Sequence, residues 1–119
     1  MIDFQEEQFR EVYGLIHRLR QEANALAVFL LERDGQQVTA TGEIESFEPV
    51  NLASLDTGKD EHVVLSSEGG LIHAKVEPVG DGGLLAVVWD ERSSLGLVRL
   101  RLARVLPRLK ELWAAAGGA

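Results

Sequence analysis

Histidines and serines are the residues of this chain that suggest acid–base, nucleophilic or metal chemistry, and their spacing decides against both. The histidines, His17, His62 and His73, are far apart and lack the spacing of a metal-binding set. His62 and His73 can meet as cross-strand neighbours, and with Glu68 or Glu77 they outline a two-histidine site. The simpler reading is a pair of surface residues, and His17 also reads as solvated. Ser93 and Ser94 follow Asp90, but no histidine accompanies them in a nucleophile-elbow context, so they read as helix caps. Gly80-Asp81-Gly82-Gly83 precedes an apolar run, whereas a dinucleotide loop follows a strand and opens a helix; it is a turn. No Walker-type phosphate loop is present. With no cysteine there is no thiolate nucleophile, thiolate ligand or disulfide. The expectation is a non-enzyme with no catalytic residue, no cofactor and no metal.

The arginines are the remaining chemistry. Arg92 stands just before the last helix, the one position suited to an arginine finger. Arg101, Arg104 and Arg108 fall along one side of that helix, with Arg99 and Lys110 on the opposite flank. They are either a solvated face whose stems cover the core edge or a basic stripe for an acidic partner. Residues 1–91 hold 6 Lys/Arg against 18 Asp/Glu, and residues 92–119 hold 6 against 1, within a net charge of −7. Most of the surface therefore repels phosphate, which argues against nucleic-acid binding. The basic helix is left to meet an acidic partner or the chain's own acidic first helix.

The elements that position these residues are legible from periodicity. The stretch from Leu84 to Trp89 is apolar on both parities, as in a central strand covered on both faces. It passes through Asp90-Glu91-Arg92-Ser93-Ser94 into a helix from Leu95 to about Ala116, apolar at Val98, Leu102, Val105, Leu109, Leu112 and Trp113 and interrupted by Pro107. Gly96 is expected to be a packing glycine at a close helix crossing. Upstream, Asp3 to Asn24 is a helix with the stripe Phe9, Val12, Tyr13, Ile16, Leu19 and Ala23; Gly14 within it is expected to admit another backbone. Ala25 to Arg33 is a second doubly apolar strand, Asp34-Gly35 a hairpin, and Gln36 to Ile44 a half-polar strand near an edge. Pro49 to Gly58 allows about two helical turns. His62–Glu68, Leu71–Val79 and Gly83–Asp90 form a meander, whose middle strand turns Ile72, Ala74 and Val76 inward and His73, Lys75 and Glu77 outward. The 119 residues read as one domain with a frayed end at 117–119. No apolar run approaches the ~20 residues of a membrane span, and the acidic start does not resemble a signal peptide, so a cytoplasmic protein is expected.

Trp89-Asp90-Glu91-Arg92-Ser93-Ser94-Leu95-Gly96-Leu97-Val98-Arg99-Leu100-Arg101 resembles the signature of the MglB-like Roadblock/LC7 proteins, and Leu52-Ala53-Ser54-Leu55 resembles the start of their middle helix. The order of elements agrees along the whole chain. The resemblance implies an α+β fold, α-β-β-α-β-β-β-α, with a five-stranded antiparallel sheet ordered 2-1-5-4-3 and the first and last helices on one face. It also implies a non-enzymatic regulator of a small Ras-like GTPase of the MglA type, acting in cell polarity and gliding motility, that grips its GTPase through the middle-helix surface of a dimer and activates GTP hydrolysis. In this chain the middle helix is shortened, because Asp56-Thr57-Gly58 leads almost at once to the third strand. The alternative is therefore a Roadblock scaffold that binds another Roadblock or polarity protein instead. Either way a homodimer is expected, with the third strand, Val63, Val64 and Leu65, as an apolar edge guarded by Glu61 and Glu68, and with Leu52 and Leu55 near the two-fold axis. Arg92, Arg101 and Arg104 are the candidate GTPase contacts.

Overall fold

The computed structural model describes residues 2–55, 62–67 and 69–118, the side chains of 65–67 and 118 aside. The expected end of the middle helix at Gly58, the guards Glu61 and Glu68 and the Leu65 side chain lie outside the described residues.

The first helix, α1 (Glu6–Glu22), starts where the Gln8 side chain accepts the Gln5 amide at 3.0 Å and carries Glu6 and Glu7 at its positive end. It ends at Asn24, which takes the left-handed conformation at φ 52. Strand β1 (Ala27–Glu32) is buried at every position but the last. It turns through Asp34-Gly35, where Gly35 has φ +95 and Asp34 Oδ1 accepts the Gln36 amide, into β2 (Gln37–Gly42). A short 3₁₀ turn, Ile44–Ser46, leads to α2 (Pro49–Ala53), with proline in its first turn. Then come β3 (His62–Ser67), β4 (Gly70–Pro78), β5 (Gly83–Trp89) and α3 (Leu95–Trp113), which runs on through Pro107.

The five strands form one antiparallel sheet in the order β2-β1-β5-β4-β3, as expected. β5 is buried at all seven positions, the physical counterpart of its two apolar parities. On one face α1 and α3 bury Val12, Ile16, Leu19, Val98, Leu102 and Leu109 against Val28, Leu30, Leu85, Val87 and Trp89. On the other face α2 places Leu52 and Ala53 against Phe29, Leu31, Ala74, Val76, Leu84, Ala86 and Val88.

Several expectations are corrected. Phe9 and Tyr13 are each 41% exposed, because the α1 stripe is narrower than its apolar residues. Among the described residues, nothing outside its own turn of helix and chain neighbours lies within 4 Å of where a Cβ on Gly14 or Gly96 would stand, so neither marks a close crossing. His17 is half-buried, stacked on Tyr13 and 3.0 Å from Thr41 Oγ1, so it is not a freely solvated residue. Lys75, expected to point outward, is 2% exposed. It pairs with Val87 across β4 and β5 on the face that carries Trp89, and its ammonium lies 2.7 Å from Glu77. Burial of a lysine to that degree calls for a charged partner, which Glu77 supplies.

Candidate functional site

β3 is one of the two outer strands, bonded on one side to β4. Val64 lies opposite His73 and is 48% exposed; Val63 lies opposite Ala74 and is half-buried. Strand alternation sends the two valines to opposite faces, Val63 to the α2 side and Val64 to the α1/α3 side. The Leu65 side chain lies outside the described residues.

On the face opposite Val64, α2 lies over the inner strands β1, β5 and β4. Leu52, at 4% exposure, packs into its own sheet, and Leu55 lies partly buried against the same cluster. A helix of five residues has few side chains to spend, and the sheet takes these. In the single chain Leu52 is thus taken up almost entirely by its own sheet. A recess of about 440 Å³ opens along the helix, lined by Phe47, Glu48, Asn51, Leu52 and Leu55. Phe47 was not anticipated, although an aromatic two residues before a helix-opening proline is a usable signal.

His62 and His73 do meet, with ring centroids 5.5 Å apart, and both lie against Trp89, at 5.8 and 5.5 Å. The rings form an aromatic ladder across β3, β4 and β5. Glu77, one of the two carboxylates considered for a metal here, is held by Lys75, and Glu68 lies outside the described residues. Among the described residues no group of three or more His, Asp or Glu can hold a metal ion.

The candidate arginines are not brought to one place. Arg92 is turned onto its own loop: its Nε lies 3.1 Å from both Asp90 oxygens, and its amide bonds Asp90 Oδ1 at 3.0 Å. The Arg92 guanidinium holds the Asp90 carboxyl below its ordinary range. Arg92 also lines a cleft of about 430 Å³ with Arg20, Asn24 and Glu43. Arg101 and Arg104 lie in a groove between α1 and α3, where Arg101 Nη1 is 3.3 Å from Glu22. Arg108, farther along, donates from Nη2 to Glu11 at 2.8 Å and from Nη1 to Glu111 at 2.9 Å. The Arg108 hydrogen bond lowers the Glu11 carboxyl below its usual value. Part of the basic helix thus meets the chain's own acidic first helix. The helix layer and α2 are on opposite faces of the sheet, so Arg101 and Arg104 are remote from the α2 surface.

The serines act as ties. Ser94 caps α3, its Oγ accepting from the Leu97 amide at 3.2 Å. Ser93 Oγ donates to the Ala23 carbonyl at the end of α1, joining the loop after β5 to the first helix.

No family model matches the sequence, and no curated protein matches it. Solved structures do. The Myxococcus xanthus MglB is 29% identical, with 98% of this chain and 96% of that chain covered at a TM-score of 0.72. An MglB with a tetrameric arrangement is 18% identical, covering 97% and 96% at 0.77. A Roadblock/LC7 domain from Streptomyces avermitilis is 18% identical, covering 82% and 93% at 0.65.

Proposed function

We propose that this chain, which has the Roadblock/LC7 fold of the MglB proteins, is a regulatory module that works through protein contacts and not through chemistry of its own, with a small Ras-like GTPase of the MglA type as its partner. The observation that carries the reading is the β3 edge: an outer strand with Val64 nearly half exposed on one face of the sheet, and a short helix with an open, partly apolar recess on the other. An unpaired strand edge with an apolar side chain is a template for a second chain. Antiparallel pairing of two β3 strands makes one continuous sheet from two copies, with the two α2 helices on the same face. Phe47, Leu55 and the recess then form a shared surface for the GTPase. Val63, Val64 and Leu65 belong to the dimer edge in this reading, and Leu52 supports it from inside the core. The remoteness of Arg101 and Arg104 from α2 fits a regulator that inserts no residue of its own from that helix layer into its partner's active site.

Size-exclusion chromatography with light scattering, alone and with a GTP-loaded MglA-type GTPase, tests this. A dimer that forms a complex and speeds GTP hydrolysis is expected. A monomer, or a dimer that leaves the GTPase unbound and its turnover unchanged, refutes it.

A second reading is favoured by the length of α2, Pro49–Ala53. So short a helix offers a GTPase little surface, and a Roadblock scaffold that binds another Roadblock protein through β3 needs less of it. The same chromatography with a second Roadblock protein in place of the GTPase separates the two.

A further inference from the structure

We propose that the groove between α1 and α3 binds an acidic segment of a protein partner, its carboxylates entering between Arg18, Arg101 and Arg104. The groove has a volume of about 190 Å³, the size of a few side chains, and is lined by Leu15, Leu19 and Val105 as well as by these arginines and Glu22. Three guanidiniums face one carboxylate. Arg101 is the fixed member, its side chain 26% exposed, with Nη1 3.3 Å from Glu22, a long contact for such a pair. Its Nε is buried and has no hydrogen-bond partner among the described residues. A guanidinium fork is shaped to take a carboxylate in two bonds. Arg18 and Arg104 are exposed and make no ion pair among the described residues. Arg108, on the same helix, is matched by both Glu11 and Glu111. The arginine cluster is therefore compensated at one end of the helix pair and in surplus in this groove.

The surrounding charge selects the occupant. Residues 1–91 carry 18 acidic against 6 basic side chains. A nucleic acid or an anionic membrane extends well beyond the ~8 Å over which charge is felt at physiological salt, and meets that repulsion. A short acidic segment meets only the groove. The apolar walls favour a segment in which leucine or a similar residue alternates with the acids. The groove lies on the opposite face of the sheet from α2, so it stays open when a partner occupies α2, and it does not depend on the dimer.

The test is fluorescence anisotropy with a fluorescein-labelled peptide of alternating Glu and Leu, beside the same peptide with Gln for Glu. Saturable binding of the Glu peptide alone, weakened by salt, is expected. Arg18→Glu and Arg104→Glu change exposed side chains, and melting curves verify that both variants fold. Each should weaken binding at least about tenfold, the loss of one charge-assisted contact. Val64→Asp should leave binding unchanged, which separates this site from the β3 surface. No binding, equal binding of the Gln peptide, or unaltered affinity in both arginine variants overturns the proposal. So does binding to phosphatidylserine vesicles or to a single-stranded oligonucleotide in place of the peptide.

Discussion

Val64 gives the sharpest test of self-association through β3. Its side chain is 48% exposed in the single chain and belongs to neither core cluster. Complete burial of a valine is worth ~1.5–3 kcal/mol, so the uncovered half is worth about 1 kcal/mol per copy. A two-fold interface uses the residue twice, and removing it from both copies should cost ~2 kcal/mol, roughly thirtyfold in the dimer dissociation constant. Val64→Thr keeps the β-branched shape that suits a strand and exchanges a methyl for a hydroxyl, so it should show part of that loss. Val64→Asp also brings two like charges together near the axis and should leave monomers. Sedimentation velocity over a dilution series reads the dissociation constant, and circular dichroism checks that each variant keeps its fold. Leu52→Ala is the contrasting control: at 4% exposure inside the α2-face core it should lower stability by ~2–5 kcal/mol, a change seen in the melting of the chain itself. A wild-type protein that stays monomeric at high micromolar concentration refutes the reasoning. So does a dimer whose affinity Val64→Asp leaves untouched.

Ser94→Ala should cost ~1 kcal/mol through loss of the α3 cap, about 4 °C in melting temperature for a chain of this length, with any partner binding intact in the folded variant. Loss of partner binding without loss of stability would instead make the serine a contact. Gly14→Ala should raise stability by ~0.5–1 kcal/mol, since nothing lies within 4 Å of the added methyl group; a lowered melting temperature would reveal a crossing element. Acid should loosen the tie between α1 and α3. Glu11, in that tie, and Asp90, on the loop before α3, both have folded-state values depressed by arginine hydrogen bonds. Their contribution is complete above the ordinary carboxylate range and is lost as pH falls through it towards the depressed values. Melting curves against pH should show a shallower acid limb for Glu11→Gln than for wild type, and identical limbs would remove Glu11 from the account.

Sequence alone determined the frame. β1 and β5 are apolar on both parities, and a strand of that kind is stable only when covered on both faces, which places both in the middle of a sheet. The change of period after Trp89, with serines at the switch, marked where the last strand gives way to α3. The apolar β3 became legible as an edge through the strand order that the family resemblance implies, which the fold has. Only tertiary structure decided which neighbour each face meets. Periodicity reports that a side of an element is polar, not whether another layer reaches over it. Lys75 alternates with apolar residues as a solvent-facing lysine does, yet it lies on the helix-layer face and is held there by Glu77. Gly14 and Gly96 have the composition of close crossings, but the crossings fall elsewhere, because a helix pair meets along one line that local sequence does not locate. The arginines of α3 form one row in sequence. In the fold they divide: Arg108 meets Glu11 and Arg101 meets Glu22 across the helix pair, while Arg104 lines the groove without an ion pair among the described residues, because each α3 position meets only the α1 side chains that the packing brings within reach.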